Sequence, residues 1–440
     1  MTQTKYTRKA PDGNGKPVFV DGMRTPFVKS FGVFENCDTL TLFSRALDGL
    51  MRKLPIDPQE IDEIIAGVVI PQTKNPNVAR DSILNLKLPS HIHGQTINRA
   101  CTSSLQAVAD ASRTIRSGDA HLILAGGVEC LSDVPIVYSE KARKFLVHMN
   151  RAKSTTEKLN ILKQFSAKAW LPSPPSMSEP LTGLTMGESG EVMAKKNEIS
   201  RAEQDAFAAR SHQKAWAAQE KGYFREEIVP VWVGEKFQIC VKDDNVIRSD
   251  TSIEAMSKLR PAFDRHYGTL TAGNSSPLTD GASIALIGDE DRCRTLGLKP
   301  KLRILDSFFV GIDPYDQLLI GPAIAIPKIL ERNNLKVNDI DRFEIHEAFA
   351  AQVISCLKAM ESKSFAEQFF GSKPLGPIPE DRLNVNGGAI ALGHPFGATG
   401  TRLLTTIAND LIRSNKELGV IAICAAGGMA GAMLVQRYDR

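Results

Sequence analysis

Asn98-Arg99-Ala100-Cys101-Thr102-Ser103-Ser104-Leu105 sets a cysteine immediately before a run with helical periodicity. Leu105, Val108, Ala109, Ser112 and Ile115 recur at three- and four-residue steps, as one buried helix face requires. Thr102 and Ser103 are N-cap candidates. The first amides of a helix point outward unpaired and carry partial positive charge, so a thiol placed there is expected to ionise more easily than a free one. Ser117-Gly118-Asp119 then reads as a turn, and His121 to Gly127 (HLILAGG) as a buried strand ending in glycines. Strand, turn, cysteine, helix and strand in succession is the setting of a covalent nucleophile. A packed structural cysteine is the plain alternative, because free cysteine is among the most buried residue types.

Working back towards the start, a polar lead, read as disordered, precedes a strand over Lys16 to Gly22. A helix is expected over Thr39 to Leu54, a strand over Ile61 to Ile70 and a short helix over Asn77 to Leu84. Such alternation favours α/β layers. Working forward, the character changes at Leu131. Residues 139 to 170 carry Lys141, Arg143, Lys144, Arg151, Lys153, Lys158, Lys163 and Lys168 against only Glu140 and Glu157. Val147, Leu159, Ile161, Leu162 and Phe165 intervene, so this is either a basic amphipathic segment lying on a membrane or partner, or a solvated helical hairpin. Leu171-Pro172-Ser173-Pro174-Pro175 breaks the chain. Helices follow over Met186 to Lys196 and Ser200 to Lys221, the second opened by the capping box Ser200-Arg201-Ala202-Glu203. Ile228 to Val233 and Phe237 to Val241 read as a strand pair, and residues 131–265 as an inserted cap.

The alternation resumes at Thr271, with strands over 281–287 and 302–310 and helices over 321–333 and 347–360. Asn386, a loop, a helix over 403–412 and an apolar strand ending in Gly427-Gly428 repeat the plan of Asn98, its loop, its helix and a strand ending in Gly126-Gly127. A duplicated α/β unit is the economical explanation. The expected division is 15–290 for the first half, with its insert, and 291–440 for the second.

Composition bounds the rest. A chain of 440 residues, 42% hydrophobic and 24% charged, is an ordinary globular protein with length for a large core. A net charge of +4 gives no case for nucleic acid. Seven scattered cysteines without a C-x-x-C pair suggest neither disulfides nor a zinc site, and point to a reducing compartment. No apolar h-region and no long apolar run are present, so neither a secretory signal nor a membrane span is expected.

Three elements can join Cys101. His394 lies in the glycine-dense loop Gly393 to Gly400, where the backbone can approach a ligand closely. That loop lacks the lysine of a phosphate-binding G-x-x-x-x-G-K-[ST] sequence. Cys424 closes a buried strand before Ala425-Ala426-Gly427-Gly428, where amides are free to face a substrate. His346 stands between Phe343-Glu344-Ile345 and a helix. Singly, each has a dull reading: a loop histidine, packing filler, a helix cap.

Together, the segments 98–103, 386–400 and 424–428 resemble the nucleophile, histidine-loop and second-cysteine motifs of the thiolase family, and Thr271-Ala272-Gly273-Asn274-Ser275-Ser276 resembles its coenzyme A-contacting segment. The likeness runs from Val18 to Gln436 and is greatest to the thiolase subunits of fatty-acid oxidation complexes. It implies a thiolase fold of two duplicated α/β halves in αβαβα layers. It implies a 3-ketoacyl-CoA thiolase using coenzyme A as co-substrate, with no other cofactor and no metal.

In that reading Cys101 is the nucleophile, His394 its base and Cys424 the second acid–base. His346 holds a water, and the amides of Cys101 and Ala426 form an oxyanion site. Met186, Ser276, Ala348 and Phe349 contact the pantetheine arm. His346 stands where many relatives carry asparagine, and Thr185 where many carry histidine. The resemblance also implies at least a homodimer and a heterotetramer with an enoyl-CoA hydratase/3-hydroxyacyl-CoA dehydrogenase subunit. Peripheral membrane contact through residues 139–170 and a cytoplasmic location, with no nucleic-acid partner, complete the expectation. An acetoacetyl-CoA thiolase run towards condensation is the alternative, since the same residues would serve it. A ketoacyl synthase would replace Cys424 by histidine. A non-catalytic lipid carrier would have no need of Cys101, His394 and Cys424.

Overall fold

The computed structural model describes residues 14–163, 165–172, 178–371 and 373–438. The lead before residue 14 and part of the expected break at 171–175 lie outside them. The strands are β1 (Pro17–Arg24), β2 (Val28–Lys29), β3 (Glu63–Gly67), β4 (His93–Ile97), β5 (Leu122–Glu129), β6 (Val231–Val233), β7 (Ile239–Val241), β8 (Thr279–Asp289), β9 (Leu302–Gly311), β10 (Arg342–Ile345), β11 (Leu418–Ala425) and β12 (Met429–Arg437).

One path of hydrogen-bonded strands runs β10-β11-β12-β9-β1-β8-β5-β3-β4, with β2 beside β8. Read outward from its middle, the order on one side is β1-β8-β5-β3-β4 and on the other β9-β12-β11-β10. An isolated parallel bridge, Phe343 to Leu383, marks where a fifth strand of the second set would lie. The two halves are therefore mirror copies in strand order, joined where Val18 and Phe19 pair with Arg303 and Leu302. In both, the strand following the long crossover helix (β5, β11) is parallel to the earlier strand (β3, β10) and antiparallel to its other neighbour. This is the duplication suggested by Asn98 and Asn386.

The layers follow from the two-residue period of the strands. In β5, Leu122, Leu124 and Val128 face one apolar cluster, with helices Thr39–Lys53 and Val78–Asn85, while Ile123 and Ala125 face another. In β11, Val420, Ala422 and Cys424 face a cluster with helices Pro322–Arg332 and Ala350–Glu361, while Ile421 and Ile423 face inward. The inward residues of both halves enclose the same two helices, Ser103–Ser117 and Thr399–Arg413. The result is helix, sheet, paired central helices, sheet, helix.

Most expected elements are present within a few residues. The expected strand 61–70 stops at Gly67, because the amides of Val69 and Ile70 turn to the Glu129 carboxylate. The helix expected from Glu347 begins only at Ala350, because Phe349 bridges Ser275 in extended conformation. The 139–170 region contains two helices, Glu140–Arg151 and Thr155–Leu162, closed by packing among Phe145, Phe165 and Trp170. No helix among the described residues is long and apolar enough to cross a membrane.

Candidate active site

Cys101 sits on a strained corner. Ala100 before it has φ of +45°, where side chains other than glycine are uncommon. The turn is held locally: Asn98 Oδ1 accepts from the Ala100 amide at 3.0 Å, and Ser103 Oγ accepts from the Arg99 amide at 2.8 Å. Thr102 occupies the N-cap position without capping, since its hydroxyl donates to the Arg99 carbonyl. The hydroxyls expected to cap the helix are thus used to fold the corner that presents the thiol.

The expectation of an easily ionised thiol is corrected by burial. Desolvation pushes the Cys101 thiol up to about 12, and the negative Glu129 adds to that. Hydrogen bonds from the amides of Ala426 and Cys101 itself work the other way and lose. A partial helix charge is weak against the cost of burying a thiolate. These are nevertheless the two amides expected to form an oxyanion site, and both lie near enough to the sulfur to favour its anion.

His394 follows Gly393, between β8 and the central helix; it bridges Leu278. Its Nδ1 lies 2.6 Å from Thr399 Oγ1, whose hydroxyl hydrogen is given to the Pro395 carbonyl at 3.1 Å. The threonine oxygen is therefore the acceptor, Nδ1 carries the ring proton, and Nε2 presents a lone pair. That Nε2 is buried and meets no hydrogen-bond partner in the protein. Burial, reinforced by the Arg402 charge, lowers the His394 pKa to about 3. The side chain is a neutral imidazole whose Nε2 lone pair is available to accept a proton.

His346 lies at the end of β10 with its ring centroid 4.0 Å from that of His394. Both its ring nitrogens are buried and unpartnered within the protein. Burial first, then His394 and Arg402, push its pKa well below the ordinary histidine value. Two residues back on the same strand face, Glu344 approaches the Arg402 guanidinium at 3.9 Å. Arg402 is fully buried, and none of its nitrogens has a hydrogen-bond partner. Burial raises the Glu344 pKa to about 8, so a tier of a largely protonated carboxyl and the Arg402 guanidinium lies beside the imidazole tier, His346 with His394.

Cys424 is the penultimate residue of β11, paired with Ala430 across the hairpin. It is buried, and its thiol is pushed well above the ordinary value by desolvation and then by the neighbouring Cys101 sulfur. The structure thus brings both thiols within electrostatic reach of each other, and the two histidines into ring contact.

The expected pantetheine residues also converge. The Ser276 amide donates to the Ala348 carbonyl at 2.9 Å, and Phe349 packs edge-on against Phe263 at 5.7 Å. Met186 opens the helix Met186–Lys196 and packs against the same apolar cluster as Phe349. Thr185 has its own role: it forms a capping box with Glu188, a T-x-x-E signal legible in the sequence.

Sequence reasoning missed the residues that hold this assembly. Glu129, at the end of β5, accepts from the amides of Val69, Ile70 and Gly397 at 3.0–3.1 Å, so one carboxylate ties the His394 loop to the half carrying Cys101. Burial raises its pKa to about 7. The loop sits so close that a Cβ on Gly127 would lie 2.0 Å from the Gly397 carbonyl. Glu347 accepts from Ser211 Oγ, Asn384 Nδ2 and the Ile390 amide, anchoring the segment after His346. A buried charge is unaffordable without such partners, and these lie far away in sequence. Among the described residues no group of three or more histidine, cysteine or acidic side chains could hold a metal ion.

Comparison with known proteins shows the family. Residues 17–291 match the family described as thiolase, N-terminal domain, and residues 298–437 match thiolase, C-terminal domain. The chain is 44% identical over 424 residues to a probable 3-ketoacyl-CoA thiolase of Caenorhabditis elegans, covering 96% of this chain and 94% of that one. It is 43% identical to the human mitochondrial trifunctional enzyme subunit beta, covering 100% and 92%. A 3-ketoacyl-CoA thiolase of Serratia proteamaculans is 39% identical, covering 95% and 96%. The crystal structure of the Bacillus anthracis acetyl-CoA acetyltransferase superposes with a TM-score of 0.82 at 30% identity, covering 97% and 99%. The chain belongs to the thiolase family of acyltransferases.

Proposed function

We infer that this protein is a 3-ketoacyl-CoA thiolase of fatty-acid β-oxidation, cleaving 3-ketoacyl-CoA with coenzyme A to acetyl-CoA and a shortened acyl-CoA. The observation that carries the reading is the convergence of a half-buried thiol near two amides, a buried second thiol beside it, and a neutral histidine with a bare Nε2. The Cys101 sulfur attacks the 3-keto carbon while His394 Nε2 takes its proton. The C2–C3 bond breaks, its electron pair passes to C2, and the acetyl-CoA enolate takes the Cys424 proton. The acyl group remains as a thioester on Cys101. The Cys424 thiolate then removes the proton of an incoming coenzyme A thiol, whose sulfur attacks the thioester. The departing Cys101 sulfur recovers its proton from His394. Because both thiols rest protonated, the Cys101 proton moves only as its sulfur attacks, and a thiolate stands on Cys424 only between the two half-reactions. The amides of Cys101 and Ala426 face the tetrahedral oxyanion, and His346 holds a water with His394 at the enolate oxygen. These groups supply every proton position the reaction needs, with coenzyme A as co-substrate.

Full-length relatives named 3-ketoacyl-CoA thiolase support this over an acetoacetyl-CoA thiolase working in condensation. The test is thiolysis across acyl-chain lengths, together with mass detection of an acyl adduct on Cys101. Cys101→Ala abolishes both in a folded protein, and activity retained in that variant defeats the assignment.

We further propose an assembly of at least two copies with a hydratase/dehydrogenase subunit, which relatives named as the beta subunit of a trifunctional enzyme support. Exposed Leu146, Val147, Leu159, Leu162 and Phe165 among the cations of 139–170 support a peripheral membrane contact there. A cytoplasmic location, at the inner face of that membrane, is the matching proposal. Deleting 141–168 is expected to weaken vesicle binding and leave intrinsic thiolysis.

A further inference from the structure

The corner after Cys424 is gripped from outside its own half. Ala426, Gly427 and Gly428 join β11 to β12, with Ala425 and Met429 as the closing pair. Gly427 and Gly428 both have positive φ, +78° and +64°, so the corner has a conformation that side chains rarely allow and that needs external support. One support comes from the same half: the Ile312 amide donates to the Gly428 carbonyl at 2.7 Å. The other comes from the inserted segment: the Gly427 amide donates to Glu179 Oε2 at 2.8 Å. Glu179 is only 6% exposed, so this charge-assisted bond is sheltered from water.

Glu179 is itself rigidly placed. Its amide donates to the Leu184 carbonyl and its carbonyl accepts from the Gly183 amide, while Ser178 bridges Thr185. The small hairpin 178–185 is fastened a second time where Tyr315 Oη donates to the Leu181 carbonyl at 3.3 Å. It runs without interruption into Thr185, the cap of the helix that begins with Met186.

We propose that Glu179 is a positioning residue of the reaction: it fixes the Gly427 peptide so that the preceding amide, Ala426, is aimed at the Cys101 sulfur and at the oxyanion formed there. This rests on the thiolase reading of Cys101 and deepens it. The argument is one of flanks. The Ala426 amide is held on one side by the β11–β12 ladder, and on the other only by a turn of two left-handed glycines. Without Glu179, the Gly427 amide has no carboxylate to point at, and the plane beside Ala426 is released. Oxyanion donors act by being pre-aligned, so a released donor costs rate while leaving ground-state binding nearly intact. The inserted cap is thereby wired to the chemistry and not only to the cofactor-sized ligand, since one hairpin carries both Glu179 and the start of the Met186 helix.

The test compares Glu179→Ala, Glu179→Gln and wild type for kcat, for KM of coenzyme A, and for the pH dependence of Cys101 alkylation by iodoacetamide. Glu179→Ala is expected to lose about tenfold or more in kcat, up to the about hundredfold that removal of an oxyanion donor costs, with KM changed by less than about threefold. Its alkylation profile is expected to move to higher pH, because an Ala426 amide out of line no longer favours the thiolate. Glu179→Gln keeps an acceptor oxygen and is expected to fall between the two. Wild-type kcat and an unmoved alkylation profile in a folded Glu179→Ala overturn the proposal; so does an equal rise in KM accounting for the whole loss. Should Glu179→Ala not fold, Glu179→Gln carries the same two readouts, and an unmoved profile there overturns it too. Failure of the underlying site reading shows differently: the wild-type enzyme then forms no acyl adduct on Cys101 at all.

Discussion

The imidazoles of His346 and His394 lie 4.0 Å apart, inclined at 46°, with three of their four nitrogens unpaired inside the protein. Two neutral rings can be packed this way, whereas two imidazolium ions cannot. The contact makes His346 a shaping wall for the base as well as a holder of water. His346→Asn, which keeps a polar tip of similar reach, is expected to retain at least about a tenth of kcat. His346→Ala is expected to lose about a hundredfold, the scale of one lost electrostatic donor. Steady-state thiolysis of the two variants checks this, and equal losses would assign His346 to packing alone.

The same burial sets a pH dependence of stability. An unfolded histidine titrates at about 6.5, whereas folded His394 does so at about 3. Between those values the unfolded chain binds a proton that the folded site refuses, so stability is complete above pH 6.5 and is lost as pH falls towards 3. His346, also lowered, adds in the same direction. Urea melts at pH 7 and pH 5 are expected to show a smaller acid loss for His346→Asn than for wild type.

The resting thiol is predicted to be quiet. With Cys101 raised to about 12, iodoacetamide alkylation of the free enzyme should climb through a pH well above the ordinary thiol range of about 8.5. His394→Asn should leave that profile nearly in place while losing about 10²–10⁴ in kcat, because the base acts during attack and not before it. An alkylation inflection near neutrality would instead point to a resting thiolate–imidazolium pair.

Arg402 faces Glu344, Glu347 and Glu227, with Arg24 opposing, and it lowers the proton affinity of both imidazoles. Arg402→Met should therefore raise both histidine pKa values, and the acid limb of kcat/KM should move to higher pH. Burial raises the Glu344 pKa to about 8, so it is largely protonated across that limb and Glu344→Gln should leave the limb nearly in place. An acid limb unmoved in Arg402→Met would sever the guanidinium from the chemistry.

Gly400 governs how closely the central helices approach: a Cβ there would lie 2.4 Å from the backbone nitrogen of Leu105. The helices are also tied by the Thr401 amide donating to Ser104 Oγ at 3.1 Å. Gly400→Ala must part backbone from backbone, and is expected to cost about 1–3 kcal/mol in denaturant melts. It should reduce kcat further, since Cys101 and His394 each lie just upstream of one helix.

The layered fold was legible because its signals are local and repeated. Period-two strands, a three-to-four-residue helix face after Cys101, and the twin glycine endings at 126–127 and 427–428 all appear within short windows. The candidate site residues stood out less by local signal than by joint resemblance: His394 and Cys424 lie in or beside glycine-rich loops, but Cys101 and His346 do not, and the three motifs together carried the assignment. What escaped were the clamps. Glu129, Glu179, Glu347 and Arg402 read as ordinary charged residues in sequence, and only the packing of distant segments shows that all four are buried and that the three carboxylates are buried with hydrogen-bond donors. The ionisation of Cys101 was read with the wrong sign for the same reason, since helix position is local and desolvation is not.

β1, at the middle of the strand path, is the first described strand of the chain, yet its neighbours are β8 and β9, which begin at residues 279 and 302. The keystone is laid before the arch. Until more than half of the polypeptide has been made, this apolar segment has no lateral hydrogen-bonding mate, and sequence-distant pairing of that kind is slow. The centre of the sheet therefore closes only when segments far apart in the chain meet, and the two halves are tied together by that late pairing.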